Sequence, residues 1–193
     1  MFHTACEKVI SRGICSGHIK EEQKDEYIYG MNMFFNVCIN IITMIIIGII
    51  SGYLWECIVF CLVYKTVRKY VGGFHFESSL HCYISSCFMY FVVIAIMAYI
   101  PFKICAVSIM VVISGITMWF ISPVESVNKP LDEDEKRVFK KRARVNISVV
   151  SMVYIAALFI NKDISEVIAI GIILVMFFAL AGRLKLMAHI EEN

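Results

Sequence analysis

The sequence predicts an all-α integral membrane protein with about six transmembrane helices and both termini in the cytoplasm. Three observations carry that prediction. Of 193 residues, 60% are hydrophobic, against roughly 45–50% in an average soluble domain. The charged residues fall in a few blocks separated by apolar runs that hold almost none. The lysines and arginines between those runs also alternate in number, which is the pattern that the positive-inside rule produces.

The first 30 residues read as a cytoplasmic interfacial segment. Phe2, Cys6, Val9, Ile10 and Ile14 recur at helical spacing among Glu7, Lys8, Arg12 and His18. A secretory signal would instead open on basic residues followed by one continuous apolar stretch. An amphipathic helix lying on the leaflet fits this pattern. The acidic run from Glu21 to Glu26 is a solvated helix face leading into the first span, with a partner-docking strip as the alternative.

A helix needs about 20 apolar residues to cross a bilayer core. Six runs qualify as candidates, at 31–50, 53–67, 82–100, 104–122, 145–160 and 164–182. The second and fifth are short enough to be buried core helices instead. These runs divide the chain into spans 1–2 (31–67), a Gly-hinged segment (68–81), spans 3–4 (82–122), a Pro-bracketed basic loop (123–144), spans 5–6 (145–182) and a tail (183–193). With six spans, one side of the membrane holds 16 Lys and Arg and the other holds 2. The basic side, with both termini, is expected to face the cytoplasm.

Most of the eight cysteines read as packing residues. Cys38, Cys57, Cys61, Cys87 and Cys105 lie inside apolar runs, where cysteine behaves as a small hydrophobe. Cys6 and Cys15 fall on the reducing side. Cys57 and Cys61, one turn apart, could bind a soft metal, but no histidine is near them in sequence. Cys82 keeps different company, at the mouth of the third span with Arg68, Lys69, His75 and His81 nearby. A cationic partner raises the thiolate fraction of such a cysteine.

His75 and Cys82 are seven residues apart. In one unbroken helix they would stand about 10.5 Å apart along the axis, whereas proton transfer needs about 3 Å. A catalytic pair therefore requires a bend, and Gly72 and Gly73 can take the positive φ that turns the chain back. The bland alternative is an incidental histidine near a helix start. A zinc site of His75, His81 and Cys82 is a weaker alternative, because adjacent residues on a helix project about 100° apart.

Arg68, Lys69, Gly72, Gly73, His75, Ser78, Ser79, Leu80 and Cys82, together with the run from Pro123 to Leu131, resemble the signature of the accessory gene regulator B (AgrB) family. The resemblance covers essentially the whole chain. It implies a membrane cysteine endopeptidase that removes the C-terminal tail of an AgrD-type quorum-sensing propeptide through a thioester, leading to a thiolactone or lactone ring. His75 and Cys82 match the family's catalytic pair, and Arg68 and Gly73 match residues that it also needs. Glu77 and His81 depart from the pattern and are not carried over. Ser78 or Ser79 is a candidate to hydrogen-bond the imidazole or hold the oxyanion.

Pro123 and Pro130 bracket Glu125, Asn128 and Lys129, so the chain should turn rigidly after the fourth span. Glu125 is expected either to pair with Arg68, to orient His75, or to pair locally. Lys136, Arg137, Lys140, Lys141, Arg142 and Arg144 form a basic cluster that should set topology and attract anionic lipid headgroups. With Asn128 and Lys129, the lysines and Arg137 are also candidates to steer the propeptide. Nucleic acid is a poor partner at a net charge of +2 without a recognition motif. No cofactor or metal is expected, and no phosphate-binding loop is present. Glu56 sits near the outer end of the second run and can reach the interface. Gly48 and Gly52 fit close helix contact, within the protein or in a homodimer. The rival readings are a multi-span transporter, which would place polar residues at mid-membrane depth, and a non-enzymatic scaffold.

Overall fold

A computed structural model of the chain describes residues 3–16, 20–73, 79–101, 103–125 and 131–191. Among them are seven α-helices and no strand. These are α1 (His3–Cys15), α2 (Lys24–Ser51), α3 (Leu54–Val71), α4 (Ser79–Tyr99), α5 (Ile104–Ile121), α6 (Glu133–Ile160) and α7 (Lys162–Glu191). Five of them, α2 and α4 to α7, are long and apolar enough to cross a membrane. Isoleucines and phenylalanines at Phe34, Ile42, Ile46, Phe88, Phe91, Ile113, Phe120 and Phe159 stand exposed on their outer faces, as a lipid-facing surface requires.

The short second run becomes α3, and its position explains its composition. Cys57, Phe60, Val63, Val67 and Val71, spaced three or four residues apart, are all buried. They form one stripe along the helix, and α3 packs with α2, α6 and α7 around it. A helix enclosed by others needs less apolar length than one facing lipid. α7 is the other central element, with Val167, Ile168, Ala169, Ile172, Val175 and Ala179 almost wholly enclosed.

Local signals set the helix ends. Gly52, at φ 78°, closes α2 in the left-handed conformation, the usual glycine stop. Gly48 serves the same hairpin, because a Cβ there would come 2.9 Å from the Leu54 Cα. That contact lies within the chain. The basic cluster is not in a loop, since α6 already begins at Glu133. Asp132 caps it by accepting from the Glu133 N–H at 2.8 Å, while Glu135 reaches back to the Asp132 N–H at 3.3 Å. This reciprocal box nucleates the helix upstream of the apolar run. Asn161 separates α6 from α7, its side chain accepting from the N–H groups of Asp163 and Ile164 at 2.9 and 3.2 Å. α1 is amphipathic, and its buried Cys6 and Ile10 rest against α2.

Candidate active site

One end of the bundle gathers the end of α3, the start of α4, the end of α5 and the start of α6. Gly72 stops α3 at φ 78°, and its N–H returns to the Arg68 carbonyl at 3.0 Å. The chain then runs beside the segment that follows α5. The Val124 N–H donates to the Val71 carbonyl at 2.8 Å, and Gly72 and Val124 form a single parallel bridge. A Cβ on Gly72 would stand 2.2 Å from the Val124 carbonyl oxygen. Gly73, at φ 136°, lies equally close to α7, where a Cβ would meet the Phe178 carbonyl oxygen at 2.9 Å. Both glycines are thus required twice, by dihedral angle and by space.

Arg68 stands one turn before that bend. Its guanidinium lies over the rings of Tyr64, at 5.3 Å, and Phe178, at 4.9 Å, and it donates a hydrogen bond to the Tyr64 hydroxyl. It therefore ties α3 to α7 through cation–π contacts. Tyr64 also stacks on Phe60 with ring centroids 5.5 Å apart.

Cys82 lies in the first turns of α4 with its side chain exposed. It borders a cavity of about 410 Å³ walled by α2, α3 and α4. Tyr29, Met33, Asn36 and Asn40 of α2 line one wall, Phe60, Tyr64 and Lys65 of α3 another, and Tyr83, Ser86, Met89 and Tyr90 of α4 a third. Several of the polar liners, Tyr64 among them, are already engaged. The Tyr83 hydroxyl is 2.9 Å from the Thr43 hydroxyl, and Ser86 donates to the Cys82 carbonyl at 2.9 Å. Asn36 and Asn40 escaped the sequence reading. Their signal was available, with Asn32, as three amides at successive turns of a largely apolar run.

Glu125 pairs with Lys136 at 3.0 Å, and Lys136 also meets Glu133 at 3.1 Å. The hydrogen bond that Lys136 donates to Glu125, then the one it donates to Glu133, holds its amine above the ordinary lysine pKa. Glu125 thus links the segment after α5 to the first turn of α6. Arg137, Lys140 and Lys141 are exposed on α6. Arg142 stands 5.9 Å from the Tyr70 ring, which Lys69 approaches at 5.5 Å. Ser79 begins α4. His75, Ser78, Asn128 and Lys129 lie outside the described residues. Among the described residues, no cluster of three histidine, cysteine or acidic side chains could hold a metal ion.

Apolar helices, a doubly pinned glycine bend and a thiol beside a cavity between three helices define a multi-pass membrane protein with a candidate thiol site at one rim. The family model of accessory gene regulator B (AgrB) matches residues 6–179, and the chain belongs to that family. Neither a curated protein nor a solved structure matches it. Membership gives the chain a role in processing the agr quorum-sensing propeptide, with an AgrD-type substrate.

Proposed function

We propose that the chain is a cysteine endopeptidase in which Cys82 is the nucleophile and His75 the general base, working at the cytoplasmic face. The observation that carries this reading is the placement of Cys82. Its thiol is exposed at the mouth of a cavity, on the first turns of a helix that follows the Gly72–Gly73 bend. α3 ends at Val71, and Gly72 and Gly73 then take positive φ, so the chain turns before it reaches His75.

In this mechanism His75 takes the thiol proton and the thiolate attacks the carbonyl carbon before the propeptide's C-terminal tail. Backbone N–H groups near the start of α4 are candidate donors to the oxyanion. The intermediate collapses, the C–N bond breaks, and the tail leaves as an amine carrying the proton from His75. A thioester to Cys82 remains. A cysteine or serine within the propeptide then attacks that carbonyl, a ring closes, and the Cys82 thiol is released. One thioester replaces another when the attacker is a cysteine, so no nucleotide is needed.

The test is co-expression with the propeptide, followed by mass analysis of the peptide products. Cys82→Ala and His75→Ala should each abolish tail removal while leaving the protein in the membrane. Cleavage that survives both substitutions would show that the chemistry lies elsewhere.

A further inference from the structure

Primary amides are costly in an apolar helix unless something pairs with them, yet α2 carries Asn36 and Asn40 on the face that walls the Cys82 cavity. Asn40 makes only a long hydrogen bond, 3.4 Å, to the Asn36 carbonyl. No hydrogen bond of the Asn36 side chain occurs among the described residues. An amide offers both a donor and an acceptor, the combination that a peptide backbone unit complements. The spacing also fits. Asn36 and Asn40 are one turn apart, about 6 Å along α2. Alternate residues of an extended peptide, which present their N–H and C=O to the same side, repeat every ~6.6 Å.

We propose that Asn36 and Asn40 are positioning residues that hold the backbone of the substrate in an extended form along α2. The segment they hold is the one retained on Cys82 after the tail has left. This deepens the reading of Cys82 as the nucleophile and rests on it. The choice of segment follows from the cavity's polarity. Met33, Val37, Phe60 and Met89 give the cavity a largely apolar wall that sheds water, and the acyl-enzyme must avoid water until its internal nucleophile arrives. The departing tail needs no such protection.

The experiment measures equilibrium binding of the propeptide to the full chain in nanodiscs, on a Cys82→Ala background so that no turnover intervenes. Asn36→Leu and Asn40→Leu should each weaken binding about tenfold, the scale of a desolvated hydrogen bond. Propeptides N-methylated at single backbone amides of the retained segment should include one that loses a similar factor on the unsubstituted amides. Asn36→Leu or Asn40→Leu should then cost that methylated peptide little more, as a shared contact requires in a double-mutant cycle. Losses that multiply in full for every methylated peptide, or affinities that do not move, overturn the proposal. A leucine variant that misfolds would weaken the binding of every peptide by the same factor, so it cannot imitate a coupling confined to one methylated amide. In the Cys82-intact protein, the leucine variants should also raise the share of linear, hydrolysed product over cyclic product. An unchanged share overturns the assignment to the retained segment. Failure of the nucleophile reading would show separately, as tail removal by Cys82→Ala itself.

Discussion

The two sides of α3 are built differently. Toward α7 the packing is close enough that side chains are excluded. A Cβ on Gly171 would come 2.9 Å from a Val63 methyl, and one on Gly73 would meet the Phe178 carbonyl at the same distance. Toward α2 and α4 the same helix faces a cavity of about 410 Å³. α7 is enclosed over much of its length, whereas α4 exposes Ile84, Phe88 and Phe91 to the outside. One side therefore serves as a frame whose geometry is fixed by contact. The other leaves room for a peptide beside Cys82. The difference teaches that substitutions on the α7 side should act through folding, and those on the cavity side through binding and chemistry.

The largest expected effect lies on the frame. Gly72→Ala places a methyl group against the Val124 carbonyl at φ 78°, a conformation costing an L-residue about 1–3 kcal/mol before any clash is counted. Both the yield of folded protein and propeptide processing should collapse. Gly30→Ala is the control, since its Cβ meets nothing within 4 Å on α2. It should raise thermal stability slightly, by about 0.5–1 kcal/mol, as alanine does in a helix interior. Equal behaviour of the two alanines in thermal melts would break the distinction between frame and cavity.

Arg68 stands where the two sides meet, and Arg68→Lys sharpens the boundary between them. Its guanidinium joins α3 to Phe178 of α7, and its hydrogen bond orients Tyr64, which lines the cavity. Lysine keeps the charge but loses the planar surface that stacks on the rings. A loss of about 1 kcal/mol in stability is expected from the weakened cation–π contacts, together with a several-fold fall in processing from the released Tyr64. If only the melting temperature moves, Arg68 belongs to the frame. If only processing moves, it belongs to the cavity.

The frame was partly legible in the sequence, for physical reasons. Apolar runs report burial or lipid contact directly, so the places of α2 and α4 to α7 followed from composition. α3 read as a short run because Lys65, Arg68 and Lys69 end its apolar stretch, and only the packing around Cys57 to Val71 shows it as a core helix. The early start of α6 was written in Asp132 and Glu135, a capping pair that the density of charge around it concealed. Gly72 and Gly73 were recognisable as a bend. That they also admit the backbones of Val124 and α7 could not be read, because residues far apart in sequence make those contacts. The amides of Asn36 and Asn40 were visible as polar interruptions, but their meaning depended on the wall they share with Cys82.

The smallest effect concerns the bond between Glu125 and Lys136, at the edge of both regions. Lys136 is held above the ordinary lysine pKa by Glu125 first and Glu133 second. A raised pKa in the folded state favours the folded form while the amine is charged. The contribution is therefore complete below the ordinary lysine value and disappears as pH rises through the higher folded value. Glu125→Gln should lower the melting temperature slightly at neutral pH, and this difference from the unsubstituted protein should shrink as the solution becomes strongly alkaline. Because the pair is solvent-accessible, added salt should shrink it as well. Processing measured at neutral pH should scarcely change if the pair only ties the segment after α5 to α6. A large fall in processing with an unmoved melt would instead draw Glu125 to the cavity side, beside Cys82.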